Sequence, residues 1–548
     1  MKFKAYHSRA REDGAEWYQI FLADKLASEG GGEKDLFFFL LNLFKENESG
    51  HLRVELEEDG RAIMEKYGDY FRSDNSPFVV SENRYLYTRR RKAQEDEFLE
   101  RMERLFSREK LPLIEGLEDY LPASSEVRSA CLKINREPFY IITGGPGTGK
   151  TTALSGIIHA LNKAALQSGR EPLRIALAAP TGRAAKRMEQ SLSERNISEE
   201  ARTLHKMLKI RFDTGEPGYD RNNPLPADLV VVDEASMIDL RMMSLLFDAL
   251  PSRGHLLLVG DKDQLPSVEA GALFSDFLYD SEKEGHRLAD KVLLLKKVYR
   301  SNKEIITLAG AIIKGEKEET RRILEEKGEA VAFHPFPDRA EKLYRTAGDF
   351  YGEHLPPRSR GFEEKVTHWE SCRDEMERWF VCYNERIILC PSRKGLYGVE
   401  RVNGEVRERL FKGGLHGIPL MISINDYDLN LFNGDRGVIF LFAGEPHVFF
   451  KEADGYRHIP LTYLGEWEES WVQTIHKSQG SEFREVAVML PEGADKLLSR
   501  EILYTALTRA KDKVRLYSDI STLEACLDRG VFRNSRIKEV LSAGPSPV

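Results

Sequence analysis

The sequence is poor in cysteine, with five in 548 residues, at positions 131, 372, 382, 390 and 526. An odd number with no CxxC pair excludes a disulfide framework and a zinc ribbon, and it suits a reducing compartment. Long hydrophobic runs are missing too. The greasiest stretch, Leu36 to Phe44 (LFFFLLNLF), is interrupted by an Asn and is too short to span a bilayer, so it is expected as a buried helix. The first residues, MKFKAYHSRAREDGAEW, carry charge where a signal peptide needs an apolar core, and a cytoplasmic location is expected. Net positive charge is also lacking: 81 Lys and Arg stand against 89 Asp and Glu, a formal −8. Any polyanion must therefore be held by a local basic groove and not by a global field. What is present is 41% hydrophobic and 31% charged residues, enough for packed cores and too apolar for a disordered chain. The length calls for three or four domains and excludes a single small binding module.

Residues 1 to about 115 combine charged patches with helical apolar periodicity, as in Phe98, Leu99, Met102, Leu105 and Phe106, which predicts a mainly helical N-terminal region. Its densest basic run, Arg89 to Lys92, could meet phosphate or an acidic partner. Glu95, Asp96, Glu97, Glu100 and Glu103 follow at once, favouring a self-balancing solvated helix. From about 116 the texture changes to short apolar runs (Phe139 to Ile142, Leu173 to Ala178, Leu229 to Val232, Leu256 to Val259), each followed by a turn and a helical pattern. Such runs predict an α/β fold, with a parallel sheet covered on both faces. A second set near Arg386 to Leu389, Glu485 to Met489 and Val514 to Tyr517 predicts a second α/β domain. The boundaries fall at about 116–325 and 326–548, with a small β insert at about 410–468, where Asn433-Gly434 is a hairpin signal.

The chemistry begins at Thr143-Gly-Gly-Pro-Gly-Thr-Gly-Lys150-Thr151-Thr152, between an apolar strand and a helical run. Gly144, Gly145, Pro146, Gly147, Thr148 and Gly149 suit a backbone cradle for the β-phosphate of ATP. Lys150 would neutralise the β- and γ-phosphates, Thr151 would ligate Mg²⁺, and Thr152 closes the nucleotide-binding run just before the helical pattern that starts at Ala153. Asp233 and Glu234 end a buried strand, where ligands of open α/β sheets bind. Asp233 suits Mg²⁺ and Glu234 suits the role of base for the attacking water. Gln264, in the turn after a third strand, can hydrogen-bond a γ-phosphate. Arg300 and Arg509, far along the chain, are candidate cations for the far side of that phosphate, although by position alone each also reads as a surface ion pair. Pro180, Thr181, Arg183, Thr203, His205, Thr474, His476, Lys477 and Gln479 are small donors and cations of the kind that grip a nucleic-acid backbone without reading sequence.

Taken in order, Gly144 to Thr152, Ala179 to Ala185, Thr203 to His205, Val232 to Met237, Gly260 to Pro266, Thr474 to Phe483 and Tyr504 to Ala510 resemble the motifs of superfamily-one DNA helicases. The particular subset is similar to the RecD family, the alpha subunits of RecBCD-type enzymes (exodeoxyribonuclease V). The resemblance covers about 120 to 520 and extends weakly to Gly50 to Val54 and Arg84 to Tyr87. It implies two RecA-like domains and a Src-homology-three-like β-barrel insert around Leu429 to Asp435. It also implies a strand-separating pin at about 211–223, although that Gly- and Asp-rich segment alone reads as a surface turn. The implied activity is ATP-dependent 5′-to-3′ translocation on single-stranded DNA in double-strand-break repair and recombination, with RecB- and RecC-type partners in a heterotrimer and DNA cleavage left to RecB.

Two departures stand out. The family's upstream adenine-reading Gln has no counterpart in Glu126 to Ala130. No helix-hairpin-helix repeats precede the first ATPase strand, which favours a complex subunit over a stand-alone RecD-like repair helicase. A non-hydrolysing scaffold that only holds DNA has no use for Lys150, Asp233, Glu234 and Arg509 together, and a P-loop kinase has none for the two last motifs.

Overall fold

In the computed structural model, which describes residues 2–13, 15–121, 126–211, 213–267, 271–299, 302–326, 328–356, 369–426, 428–442, 444–452, 455–494 and 497–543, the apolar runs assemble into four sheets. The first is parallel and six-stranded, in the order Ala201–Thr203, Ile175–Ala179, Leu229–Val232, His255–Gly260, Phe139–Gly144 and Val292–Leu295. The strands Leu229–Val232, His255–Gly260 and Phe139–Gly144 are buried along their whole length. Their side chains alternate between two cores. Phe139, Ile141, Val230, Val232, Leu256 and Leu258 pack with Phe98, Phe247 and Phe277 on one face. Tyr140, Ile142, Val231, Leu257 and Val259 pack with Leu154, Ile157 and Leu161 on the other. Because all six strands run the same way, the loops carrying the phosphate-loop, acid-pair and Gln264 motifs leave one common edge.

The second parallel sheet has five strands, in the order Val331–His334, Ala510–Tyr517, Phe483–Met489, Arg386–Cys390 and Val472–Thr474. An antiparallel five-stranded sheet is inserted into this domain, in the order Gly455–Pro460, Glu445–Glu452, Arg436–Phe442, Ile418–Ile422 and Trp467–Glu469. Asn433-Gly434 lies in the loop joining two of these strands. Gly434 adopts φ +95°, a left-handed conformation, and its N–H donates to the Ile422 carbonyl at 2.9 Å.

At the N-terminus, the run Leu36 to Phe44 lies inside the helix Lys34–Glu48 and supplies Leu36, Phe37, Leu40, Leu41, Leu43 and Phe44 to a core. The helical expectation missed a small antiparallel sheet, Val54–Glu55, Tyr85–Thr88 and Phe78–Ser81. The basic run opens the helix Arg89–Phe106, where Lys92 pairs with Asp96, and Arg101 with Glu97 and with Asp248 of the first α/β domain.

After Asp528 the chain crosses back to the first α/β domain. Arg533 donates to the Gly271 carbonyl at 2.7 Å, and Leu52 N–H donates to the Asn534 carbonyl at 3.1 Å. Ile537 and Leu541 are buried in the core that holds Phe98 and Phe277. This strap ties the second α/β domain to the other two regions. Among the described residues no two of the five cysteines form a disulfide, and no helix is long and apolar enough to cross a membrane.

Candidate functional site

The strand Phe139–Gly144 ends in the phosphate loop, and the helix Lys150–Gln167 starts from it. Gly147 and Gly149 sit at φ +70° and +84°, where a side chain would strain the turn. At Gly144 space decides instead, since a Cβ would lie 2.7 Å from the Leu295 carbonyl oxygen and from Thr148 Oγ1. Lys150 Nζ donates to the carbonyls of Gly144 at 2.7 Å and Gly145 at 3.1 Å, so the lysine is folded over its own loop.

One cleft between the two α/β domains gathers Pro146 to Thr152, Asp233, Glu234 and Gln264 from the first and Gly480, Glu482, Arg509 and Lys511 from the second. Glu234 adopts φ +51°, an uncommon conformation for a residue with a side chain and one found disproportionately at functional sites. Burial, and then the charge of Glu234, push the Asp233 carboxyl upward, against the opposing pull of Lys150 and Arg187. The side-chain amide of Gln264 donates to Asp261 at 3.1 Å, and its Oε1 is buried with no donor. A buried amide oxygen without a donor suits an attacking water, which brings its own O–H. Arg509 is 3% exposed and donates to the Thr505 carbonyl and the Ser481 carbonyl, each at 3.1 Å. Arg300 lies outside the described residues. Its neighbour Tyr299 is 60% exposed, donates its N–H to the Gly147 carbonyl at 2.8 Å, and has ring atoms 3.7 Å from where a Gly149 Cβ would stand.

The domains are also pinned by hydrogen bonds beside the cleft. Tyr504 donates its hydroxyl to Asp261 at 3.1 Å, Leu265 N–H donates to Thr505 Oγ1 at 3.0 Å, and Gln479 Nε2 donates to the Leu265 carbonyl at 2.9 Å.

A cavity of about 650 Å³ runs along the next stretch of the boundary. Pro180, Thr181, Arg183, Thr203, His205, His476, Lys477 and Gln479 all line it, together with Lys206, Lys209, Arg241 and Asn433. Thr474 is not brought to the wall; its hydroxyl accepts the Lys477 N–H at 3.3 Å and shapes the turn instead. Burial, and then the neighbouring Arg436 and Arg187, push Arg183 down to about 9, so it stays a cation at neutral pH, and its Nη1 is buried with no acceptor. Burial also pushes His476 down, which leaves a neutral ring. At one end of the groove the segment 211–223 forms turns: Gly215 N–H donates to the Arg211 carbonyl at 2.8 Å, and Arg241 donates to the Gly215 carbonyl at 2.7 Å. Phe212 lies outside the described residues.

Sequence reasoning missed Tyr299, Arg187, Glu482 and Lys511. For Tyr299 the signal was its place beside Arg300. For Arg187 it was the single helical turn separating it from Arg183.

Known proteins resemble the chain in the same two places. Residues 128–270 match a family model described as an AAA domain, and residues 469–517 match one described as a UvrD-like helicase C-terminal domain. The chain is 34% identical over 436 residues to the RecBCD enzyme subunit RecD of Mycolicibacterium smegmatis, covering 76% of this chain and 74% of that protein. With the RecBCD enzyme subunit RecD of Haemophilus influenzae the identity is 30% over 493 residues, covering 78% and 74%. The ATP-dependent RecD2 DNA helicase of Deinococcus radiodurans is 29% identical over 406 residues, covering 71% of this chain and 48% of that protein.

Proposed function

Because the chain belongs to the RecD family of RecBCD enzyme subunits, we propose that it is an ATP-dependent DNA helicase subunit that moves 5′ to 3′ along single-stranded DNA in double-strand-break repair and recombination. The observation that carries this reading is a shared boundary. The cleft that gathers Lys150, Asp233, Glu234, Gln264 and Arg509 and the groove that gathers Arg183, His205, His476 and Lys477 are walled by the same two domains. Any change in the gap between the domains at one site is then felt at the other. The groove offers a desolvated guanidinium, neutral donors and lysines, a lining that grips phosphates without reading bases.

In the cleft, Lys150 leaves the loop carbonyls for the β- and γ-phosphates, Glu234 accepts the proton of the attacking water, Gln264 orients that water, and Arg509 meets the γ-phosphate from the other domain. Among the described residues no group of three or more His, Cys, Asp or Glu could hold a metal. Thr151 and Asp233 would hold the Mg²⁺ that accompanies ATP, which would neutralise charge on the phosphate oxygens.

The insert at about 410–468 acts as a Src-homology-three-like barrel beside the DNA, and the segment 211–223 is the strand-separating pin. The N-terminal region, 1–115, is the partner-binding domain for RecB- and RecC-type subunits in the cytoplasm. Trp17, Tyr18, Phe21 and Leu22, exposed on one helix, give that region an apolar face. The stand-alone helicase reading is weaker, resting on 29% identity against 34%.

The test is ATP-dependent unwinding of matched duplexes bearing a 5′ or a 3′ single-stranded tail, with the chain alone and with co-purifying partners. Unwinding from the 5′ tail alone is expected; unwinding from the 3′ tail, or none in either state, would overturn the reading.

Tyr299 carries a second expectation. With no upstream Gln, the base is held by stacking on this exposed ring, which every base can use. Tyr299→Ala is therefore expected to raise KM about tenfold for ATP and GTP alike, in line with a stacking contact worth roughly 1–3 kcal/mol. A rise confined to ATP in steady-state kinetics would refute it.

A further inference from the structure

A cavity of about 310 Å³ adjoins both sites, sharing Arg187, Gly480, Glu482 and Lys511 with the cleft and Arg183 and Gly434 with the groove. One wall is the helix Gly182–Ser193, capped by Thr181, which accepts the Ala184 N–H at 3.2 Å. Arg183, Lys186, Arg187 and Gln190 follow one another at i, i+3, i+4 and i+7, so they share one face of that helix, and all four line the cavity. The facing wall carries Arg436 and Lys451, from adjacent strands of the inserted sheet, and Lys511 from the second α/β domain.

Half of these cations are already compensated. Arg187 pairs with Glu482 at 2.5 Å, Lys511 reaches the same carboxylate at 3.2 Å, and Lys451 pairs with Glu377. Arg183, Lys186 and Arg436 form no ion pair among the described residues. The other carboxylate of the wall, Asp435, attracts Arg183 from a distance but spends an oxygen on the Phe432 N–H, which it accepts at 2.9 Å. Arg183 and Arg436 lie over the same ring, that of Phe483, at 5.9 and 5.6 Å from its centroid. Arg436 uses one nitrogen, Nη2, to donate to the Ser470 carbonyl at 3.3 Å. In both arginines Nη1 is buried and has no acceptor among the described residues. Two like charges brought onto one ring by different domains, each with a buried N–H left over, are costly until an anion meets them.

We propose that this cavity is a third anion site, which binds a phosphate group between the guanidiniums of Arg183 and Arg436, with the exposed Lys186 adding charge at its rim. A guanidinium presents its N–H groups as a fork that matches two oxygens of a phosphate, and one dianion compensates both arginines at once. Because Arg183 belongs to the first α/β domain and Arg436 to the insert of the second, the bound anion joins the two. Two sources of the same chemistry adjoin the cavity: the phosphate released from ATP in the cleft, and the backbone phosphates of DNA in the groove. Naming those sources rests on the helicase reading above, whereas the unpaired cations do not depend on it.

The test is equilibrium binding of inorganic phosphate to the full chain with any co-purifying partners, without nucleotide, followed by phosphorus NMR line broadening at an ionic strength held constant with chloride. Wild type, Lys150→Ala, Arg436→Gln and Lys186→Gln are compared. Lys150→Ala takes the cation out of the phosphate loop, so phosphate that still binds this variant is held elsewhere. Binding is expected to be retained in Lys150→Ala and to weaken at least about tenfold in Arg436→Gln, as for the loss of one charge-assisted bond. Lys186 is exposed, so its substitution leaves the fold alone, and Lys186→Gln is expected to weaken binding about threefold, as for a surface charge. Saturating single-stranded DNA then separates the sources. Phosphate that stays bound beside the DNA marks a site for the product of ATP hydrolysis; phosphate that the DNA displaces, together with weaker DNA binding by Arg436→Gln, marks a site for the backbone. Either result supports the proposal. Binding that is lost in Lys150→Ala and kept in both other variants places phosphate in the cleft alone and overturns it, as does wild-type binding no stronger than that of chloride. If Arg436→Gln does not fold, unchanged affinity in Lys186→Gln overturns it instead. No step of the measurement uses ATP turnover, so the helicase reading stands whichever way the site is decided.

Discussion

Arg509→Ala is expected to lower DNA-stimulated ATP turnover by about 10³ to 10⁵, the range associated with an arginine that stabilises a phosphoryl-transfer transition state. The side chain is buried and belongs to the second α/β domain, yet it opens into the cleft that holds Lys150 and the acid pair. Its two hydrogen bonds, to the Thr505 and Ser481 carbonyls, orient the guanidinium from both the helix that precedes it and the segment that also supplies Glu482. Hydrolysis should therefore depend on the domains being closed, because the cation arrives only with the second domain. ATP binding, which uses the phosphate loop of the first domain, should survive. Arg509→Lys is expected to recover only part of the rate, since an ammonium supplies the charge but not the fork that makes both carbonyl bonds. The measurement pairs a steady-state ATPase assay with nucleotide-binding titration. A loss of less than tenfold, or a parallel loss of nucleotide binding, would show that Arg509 is a structural contact and not a participant in turnover.

The parts of the molecule that were legible in the sequence are those whose signal is local. A fully apolar run such as Leu229 to Val232, flanked by a turn and acids, declares a buried parallel strand with acids at its end within a few residues. The phosphate loop is contiguous for the same reason. The small N-terminal sheet was not legible, because Val54–Glu55, Phe78–Ser81 and Tyr85–Thr88 are too short for a twofold alternation to outweigh the long helices around them. Nor was the strap after Asp528, since nothing in Arg533 or Ile537 says that they pack against residues from the opposite end of the chain. Thr474 shows the limit within a motif. Its neighbours His476, Lys477 and Gln479 reach the groove, whereas its own hydroxyl is consumed by the N–H of the turn that places them. Arg187 and Glu482 show the same limit across domains, because a pairing of two exposed-looking charges is set by how the domains close and not by spacing.

Lys150→Ala is expected to abolish ATP hydrolysis, with turnover down by at least about 10³, and to leave the fold intact. The argument for the first part is charge. The lysine is the cation that the loop itself contributes to the phosphates; Arg195, bonded to the loop's own helix, donates to Thr152 at 3.0 Å, and Arg187, another first-domain cation of the cleft, is paired with Glu482. The argument for the second part is that Lys150 bonds only to two carbonyls of its own loop and fills no core position. Its loss should cost roughly 1 kcal/mol or less in denaturant unfolding, the net worth of an ordinary hydrogen bond. The same variant separates the two sites. The groove residues Arg183, His205 and His476 are untouched, so single-stranded DNA should bind with unchanged affinity and salt dependence while unwinding from the 5′ tail is lost. Retained hydrolysis would sink the nucleotide assignment. Lost DNA binding would instead mean that the groove is not a site in its own right and forms only when nucleotide closes the cleft.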